Sequence, residues 1–145
     1  MKIVIQRVKE AKVLVNGKVI GKINKGILIF LGIAKGDTKE QAEWLAKKVC
    51  SLRIFPDESG KFNLSLKDIN GEVLIISQFT LYGNCHKGRR PSFDKAASPQ
   101  EAIFLYEAFI EMVKQEGVKV ATGQFGALME VHLINDGPVT FVIEK

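Results

Sequence analysis

Cysteine and histidine are scarce in this chain, with two of each among 145 residues. Cys50 stands in a predicted helix and Cys85 in a predicted loop, so neither a disulfide framework nor a zinc spacing can be built from them. His86 is adjacent to Cys85 and His132 is far away in a predicted strand, which leaves no metal site and no oriented Cys-His pair. Long apolar runs are also missing: the longest candidate, residues 26–34, falls well short of the ~20 residues a spanning helix needs. The opening Met1-Lys2-Ile3-Val4-Ile5-Gln6-Arg7 breaks its apolar stretch at once and offers no cleavage site, so a cytoplasmic protein is expected. No G-x-S-x-G elbow, Walker loop, dinucleotide fingerprint or H-E-x-x-H helix occurs, which removes the common hydrolase, nucleotide and zinc-protease signatures. No cofactor is expected.

The chain has the composition of a single globular domain, residues 1–145, with 46% hydrophobic and 26% charged residues and nine Phe. A net charge of +5 and a pI near 9.2 suit a polyanionic partner, though many proteins without one share that balance. Lys87-Gly88-Arg89-Arg90 places three cations in four residues beside a proline. Charge alone leaves two readings of it open, a phosphate grip and a solvated loop.

Periodicity predicts strands over residues 3–8, 12–15 and 18–20, the last two joined by an Asn16-Gly17 turn. Residues 27–31 form a continuous apolar run, as in a strand buried on both faces. Thr38 and Gln41 form a capping box ahead of Ala42, Leu45, Val49 and Leu52, predicting a helix over 39–52. A strand follows over 72–79. Ser98-Pro99-Gln100-Glu101 then starts a second helix over 99–116, stopped by Gly117. Strands are expected over 118–121, 127–133 and 139–143, with Asn135-Asp136-Gly137-Pro138 as the turn before the last. The sum is an α+β fold: two packed, mostly antiparallel, barrel-like sheets with two main helices on one side.

Chemistry is concentrated at Ser77-Gln78-Phe79-Thr80, where polar groups close an apolar strand. They either satisfy the ending backbone or face a cleft. A Thr80 nucleophile would need a general base, and none is in view; an unassisted hydroxyl attacks poorly. Met129 and Phe125 read as core or loop anchors. Since only ~5–6% of X-Pro bonds are cis in folded proteins, spacing assigns no isomer to Gly137-Pro138.

Ser77-Gln78-Phe79-Thr80-Leu81-Tyr82, Lys87-Gly88-Arg89-Arg90-Pro91-Ser92-Phe93 and Asn135-Asp136-Gly137-Pro138-Val139-Thr140 resemble, in order and spacing, the D-aminoacyl-tRNA deacylase family. Leu52-Arg53-Ile54-Phe55, Asn63-Leu64-Ser65-Leu66 and Thr122-Gly123-Gln124-Phe125-Gly126 extend the resemblance across nearly the whole chain. It implies a homodimer in which the Ser-Gln-x-Thr strand end of one subunit meets a cis Gly-Pro turn of the other. Hydrolysis of the ester in D-aminoacyl-tRNA, and in glycyl-tRNA mischarged on tRNA-Ala, is the implied reaction. Gly137 and Pro138 would screen chirality with main-chain atoms, and Met129 would contact the substrate. The N–H groups of Phe79 and Thr80 would polarise the ester carbonyl, with Ser77, Gln78 and Thr80 holding the segment in shape. Arg7, Lys87, Arg89 and Arg90 would bind the tRNA acceptor end, and the terminal ribose 2′-hydroxyl would assist water. Leu128 departs from the family pattern, which has an acidic residue before Met129. A non-catalytic tRNA-binding module is the alternative, and turnover separates the two.

Overall fold

The computed structural model describes residues 1–86 and 88–145. Among the described residues eight strands occur, β1 (Lys2–Val15), β2 (Lys18–Ile23), β3 (Gly26–Gly32), β4 (Phe55–Pro56), β5 (Phe62–Leu64), β6 (Glu72–Ser77), β7 (Lys119–Thr122) and β8 (Glu130–Glu144), with helices α1 (Lys39–Ser51) and α2 (Pro99–Gln115). Both predicted helices form where their caps start them. Thr38 N–H donates to Gln41 Oε1 at 2.5 Å, and Ser98 N–H donates to Glu101 Oε2 at 3.1 Å with Pro99 in the first turn.

The two packed sheets expected from the sequence are in fact one six-stranded sheet and a separate two-stranded ribbon, β4-β5. The large sheet runs β2-β1-β3-β6-β7, with β8 also paired to β1. It is mixed: β1 pairs antiparallel with β2, β3 and β8, whereas β6 lies parallel to both β3 and β7. The sheet curls until it nearly closes on itself because β1 is one 14-residue strand, not the two short ones expected from the sequence. Its first half pairs with β3 and its second half with β2, which curls round to β7. A side chain at Gly21 would meet the Thr122 carbonyl at 2.5 Å, so only glycine lets β2 approach this closely.

Two apolar cores result. Ile5, Ile29, Leu45, Phe55, Ile75 and Phe109 belong to the core between the sheet and both helices. Val8, Val13, Leu28, Leu74 and Ile76 fill the barrel interior. The run 27–31 lies in β3, between β1 and β6, and all but Phe30 of it is buried, as its lack of alternation predicts. Burial pushes the Cys50 thiol up to about 11, so it stays protonated in the helical layer. Among the described residues no helix is long and apolar enough to cross a membrane.

Candidate functional site

Strand β6 ends at Ser77, Gln78 follows, and the chain turns through one short 3-10 helix, Phe79–Tyr82. Gln78 N–H donates back to the Leu31 carbonyl at 2.8 Å, and the Gln78 carbonyl accepts from Leu81 N–H at 3.2 Å. The first N–H groups of such a turn have no carbonyl behind them. Accordingly, among the described residues the N–H groups of Phe79 and Thr80 donate to no protein acceptor. The Thr80 hydroxyl is met by the Gln78 side-chain amide, and among the described residues it forms no hydrogen bond to a carboxylate or imidazole.

This strand end borders a cavity of about 570 Å³. Ser77, Gln78, Phe79 and Met129 of the predicted site line it. Sequence reasoning missed most of the other walls: Leu31, Ile76, Phe93, Ala97 and Leu128 are apolar residues whose spacing gave no sign of a shared surface. Phe125, read as an anchor, is also a wall residue, with its ring 5.6 Å from that of Tyr106. No charged side chain lines the cavity among the described residues. Phe79 is 58% exposed and meets Phe93 edge to face at 5.0 Å. Met129 has its place because Gly123 has no side chain: a Cβ there would lie 2.5 Å from the Met129 sulfur. Tyr106 supports the strand from behind, its hydroxyl donating to the Ile75 carbonyl at 2.9 Å. Burial holds that phenol up at about 12, so it remains a donor through the neutral range.

Gly137 and Pro138 lie elsewhere. The hairpin turn expected at 135–138 is a bulge inside one continuous strand, β8, which pairs along almost the whole of β1. Gln6 faces Thr140 and Val8 faces Asn135, so residues 136–139 loop out opposite Arg7 alone. The Gly137-Pro138 peptide is cis. The Asn135 amide bonds the Arg7 carbonyl at 3.0 Å and the Val139 carbonyl at 3.2 Å, pinning both ends of the bulge. Val139 is fully buried in the core.

Arg7 requires a correction. Grouped by the resemblance with the cations that bind the tRNA acceptor end, it is only 6% exposed, and its guanidinium is turned inward onto protein acceptors. Its Nε lies 3.1 Å from the Asp136 carbonyl and 3.0 Å from the Asp136 carboxylate, and its Nη1 donates to the Ile54 carbonyl at 2.6 Å. The Phe62 ring of the small ribbon lies 5.4 Å from the same group. Such an arginine holds the bulge and is not presented to a phosphate in solution. Asp136 and Ile54, the partners that make this so, carried no signal in the sequence beyond lying in recognisable stretches.

Of the cationic loop, Lys87 lies outside the described residues, while Arg89 and Arg90 are exposed. Backbone bonds between Asn84 and Ser92, at 2.8 and 3.1 Å, close the loop next to the cavity wall residue Phe93.

Within one chain the bulge and the strand end are far apart. Arg7 faces Ile27 on β3, whereas Ser77 faces Leu31, and β8 stands three strand spacings from β6. At ~3.3 Å per residue and ~4.8 Å per strand this is about 20 Å along the sheet.

Comparison with known proteins gives one family. The family model described as D-Tyr-tRNA(Tyr) deacylase matches residues 4–144. A protein of Thermotoga petrophila named D-aminoacyl-tRNA deacylase is 58% identical over 145 residues, covering 100% of this chain and 97% of its own. A protein of the same name from Geobacter metallireducens is 58% identical, covering 100% and 96%. Among solved structures, one described as c-Myc DNA Unwinding Element Binding Protein superposes with a TM-score of 0.93 at 41% identity over 100% of this chain and 99% of its own. Another, described as a probable eukaryotic D-amino acid tRNA deacylase, shares the fold with a TM-score of 0.82 at 19% identity over 98% of each chain. With a family model covering all but the ends of the chain, and relatives this similar over their full length, this chain belongs to the D-Tyr-tRNA(Tyr) deacylase family.

Proposed function

We propose that this protein hydrolyses the ester of D-aminoacyl-tRNA, releasing the free D-amino acid and the tRNA, and that it accepts glycyl-tRNA mischarged on tRNA-Ala. The observation that carries this reading is the pair of N–H groups at Phe79, which lines the uncharged cavity, and at Thr80, the next residue in the chain, neither engaged by a protein acceptor among the described residues. As water adds to the ester carbonyl carbon, negative charge builds on the carbonyl oxygen, and two backbone donors held in place by the Gln78 bonds are suited to receive it. Such a donor contributes about 2.7–4 kcal/mol in comparable sites. Collapse of the adduct breaks the bond to the ribose oxygen, which takes up a proton. The terminal ribose 2′-hydroxyl orients the water, in keeping with a Thr80 hydroxyl bonded, among the described residues, by the Gln78 amide and by no base.

Handedness is screened by Gly137 and Pro138 of a second subunit. A separation of about 20 Å along the sheet keeps them from the cavity of their own chain. The free edge of β8 favours a homodimer: Ile134, Phe141 and Val142 are 50%, 39% and 65% exposed on a strand whose one described neighbour is β1. Long unpaired apolar edges are rarely left in water. A main-chain wall excludes the side chain of an L-residue, leaves that of a D-residue unread, and cannot exclude glycine. Lys87, Arg89 and Arg90 hold the acceptor end by phosphate contacts.

The test is hydrolysis of D-tyrosyl-tRNA against L-tyrosyl-tRNA by the pure protein, expected to differ by more than 100-fold. Equal loss of both, or of neither, rejects the reading. A non-catalytic nucleic-acid-binding role is the second reading, favoured by the name of the 41%-identical structure; it predicts retention of tRNA with the ester intact.

A further inference from the structure

Charge is unevenly distributed along the chain. Seven of the 21 Lys and Arg but one of the 16 Asp and Glu fall within residues 1–25, so this segment carries a net +6 while the other 120 residues sum to −1. Two of its cations are engaged, Lys2 with Glu144 at 3.3 Å and Arg7 with Asp136 at 3.0 Å. The remaining five, Lys9, Lys12, Lys18, Lys22 and Lys25, form no ion pair among the described residues.

Their placement is unfavourable for the fold taken alone. Lys12 stands directly opposite Lys22 on β2, a row of two cations on neighbouring strands, with His132 of β8 on its other side. Like charges facing each other across a ladder repel. Glu10 and Glu130 are the nearby carboxylates, and Glu130 approaches His132 at 3.7 Å, not the lysines. Such a row gains from a partner with regularly spaced negative charge.

The same hairpin adjoins the cavity. Val13, next to Lys12, pairs with the cavity-lining Val131, and Gly21, next to Lys22, packs on Thr122, whose neighbour Gly123 makes room for Met129. We propose that the β1-β2 hairpin, through Lys12, Lys18 and Lys22, is a second phosphate-contact surface that grips the sugar–phosphate backbone of the RNA whose end occupies the cavity. It is separate from the loop at Arg89 and Arg90, which borders the cavity at Phe93. The assignment of RNA as occupant rests on the deacylase reading; the charge complementarity does not.

The test measures binding of fluorescent, uncharged tRNA to the intact protein between 50 and 200 mM salt, for wild type and for Lys12→Gln/Lys18→Gln/Lys22→Gln. The triple variant is expected to bind at least tenfold more weakly at the low-salt end. Its slope of log affinity against log salt should be shallower by about 2–3, at roughly 0.9 for each phosphate no longer neutralised. Hydrolysis of the D-tyrosyl ester of adenosine, which has no phosphate backbone, should not change. Lys22→Glu, which removes the repulsion facing Lys12, serves as a second variant should the triple fail to fold, and is expected to weaken binding likewise. Unchanged affinity and slope, weaker binding at an unchanged slope, or a loss of activity on the small ester would each overturn the proposal. Absence of wild-type hydrolysis beside a retained, lysine-dependent tRNA affinity would reject the deacylase reading and leave the surface standing.

Discussion

The bulge at residues 136–139 and the strand end at residues 77–80 are both short polar interruptions of apolar strands, yet their polar groups are disposed in opposite ways. In the bulge, the Asp136 carbonyl and carboxylate, the Asn135 amide and the Val139 carbonyl all have partners, and a buried arginine lies behind them. At the strand end, two adjacent N–H groups have none among the described residues, and the aromatic ring between strand and solvent is more than half exposed. A segment with its hydrogen bonds satisfied internally can serve as a rigid wall. One whose donors the protein leaves unsatisfied is open to an acceptor from outside.

Substitutions can break that contrast from either side. The largest effect is expected from Arg7→Ala, which removes a buried guanidinium shared by Asp136 and Ile54. Leaving their acceptors unpaired should cost about 3–5 kcal/mol, read as a lowered unfolding midpoint together with loss of the D-over-L preference. Gly137→Val should come next. A Cβ at Gly137 would meet only the Asn135 side-chain oxygen, at 3.2 Å, so folding should tolerate the change. A wall thickened by a side chain should lower hydrolysis of D-tyrosyl-tRNA by about 100-fold with little change in unfolding temperature, an effect of the size of one missing transition-state donor. The smallest effect is expected from Thr80→Ala. If the main chain at Phe79 and Thr80 does the work, the variant keeps activity within about tenfold of wild type, since the bond to Gln78 that it removes is one ordinary hydrogen bond. Complete loss, with a trappable acyl adduct, would instead make Thr80 a nucleophile.

Much of the fold is legible in the sequence where a single local cause suffices. Both helices start at their capping boxes, and the central strand announces itself by its continuous apolar run. Sequence and structure part where pairing across long sequence distances overrides local punctuation. Asn135-Asp136-Gly137-Pro138 contains the residues of a reverse turn, but β1 pairs on both sides of it, so the chain bulges and continues. The polar residues near Lys9 and Glu10 suggest a break in β1, yet β8 and β2 pair beyond them. Ser77, Gln78 and Phe79 could be singled out because polar residues that end a buried strand must find a partner. Their companions could not, because Leu31, Phe93, Ala97 and Leu128 are ordinary apolar residues until folding sets them round one space.

By itself the sequence determined the helices and the central strand, since caps and periodicity act over a few residues. Only the tertiary structure decided that Arg7 is a buried brace and not a surface cation, that the sheet curls into one barrel, and that Gly137 stands away from its own chain's cavity. Those outcomes depend on which carbonyls and which strands meet across long stretches of intervening chain, as the Arg7 bonds to Ile54 and Asp136 illustrate. No local pattern encodes such a meeting, because its free energy exists only once both partners are in place.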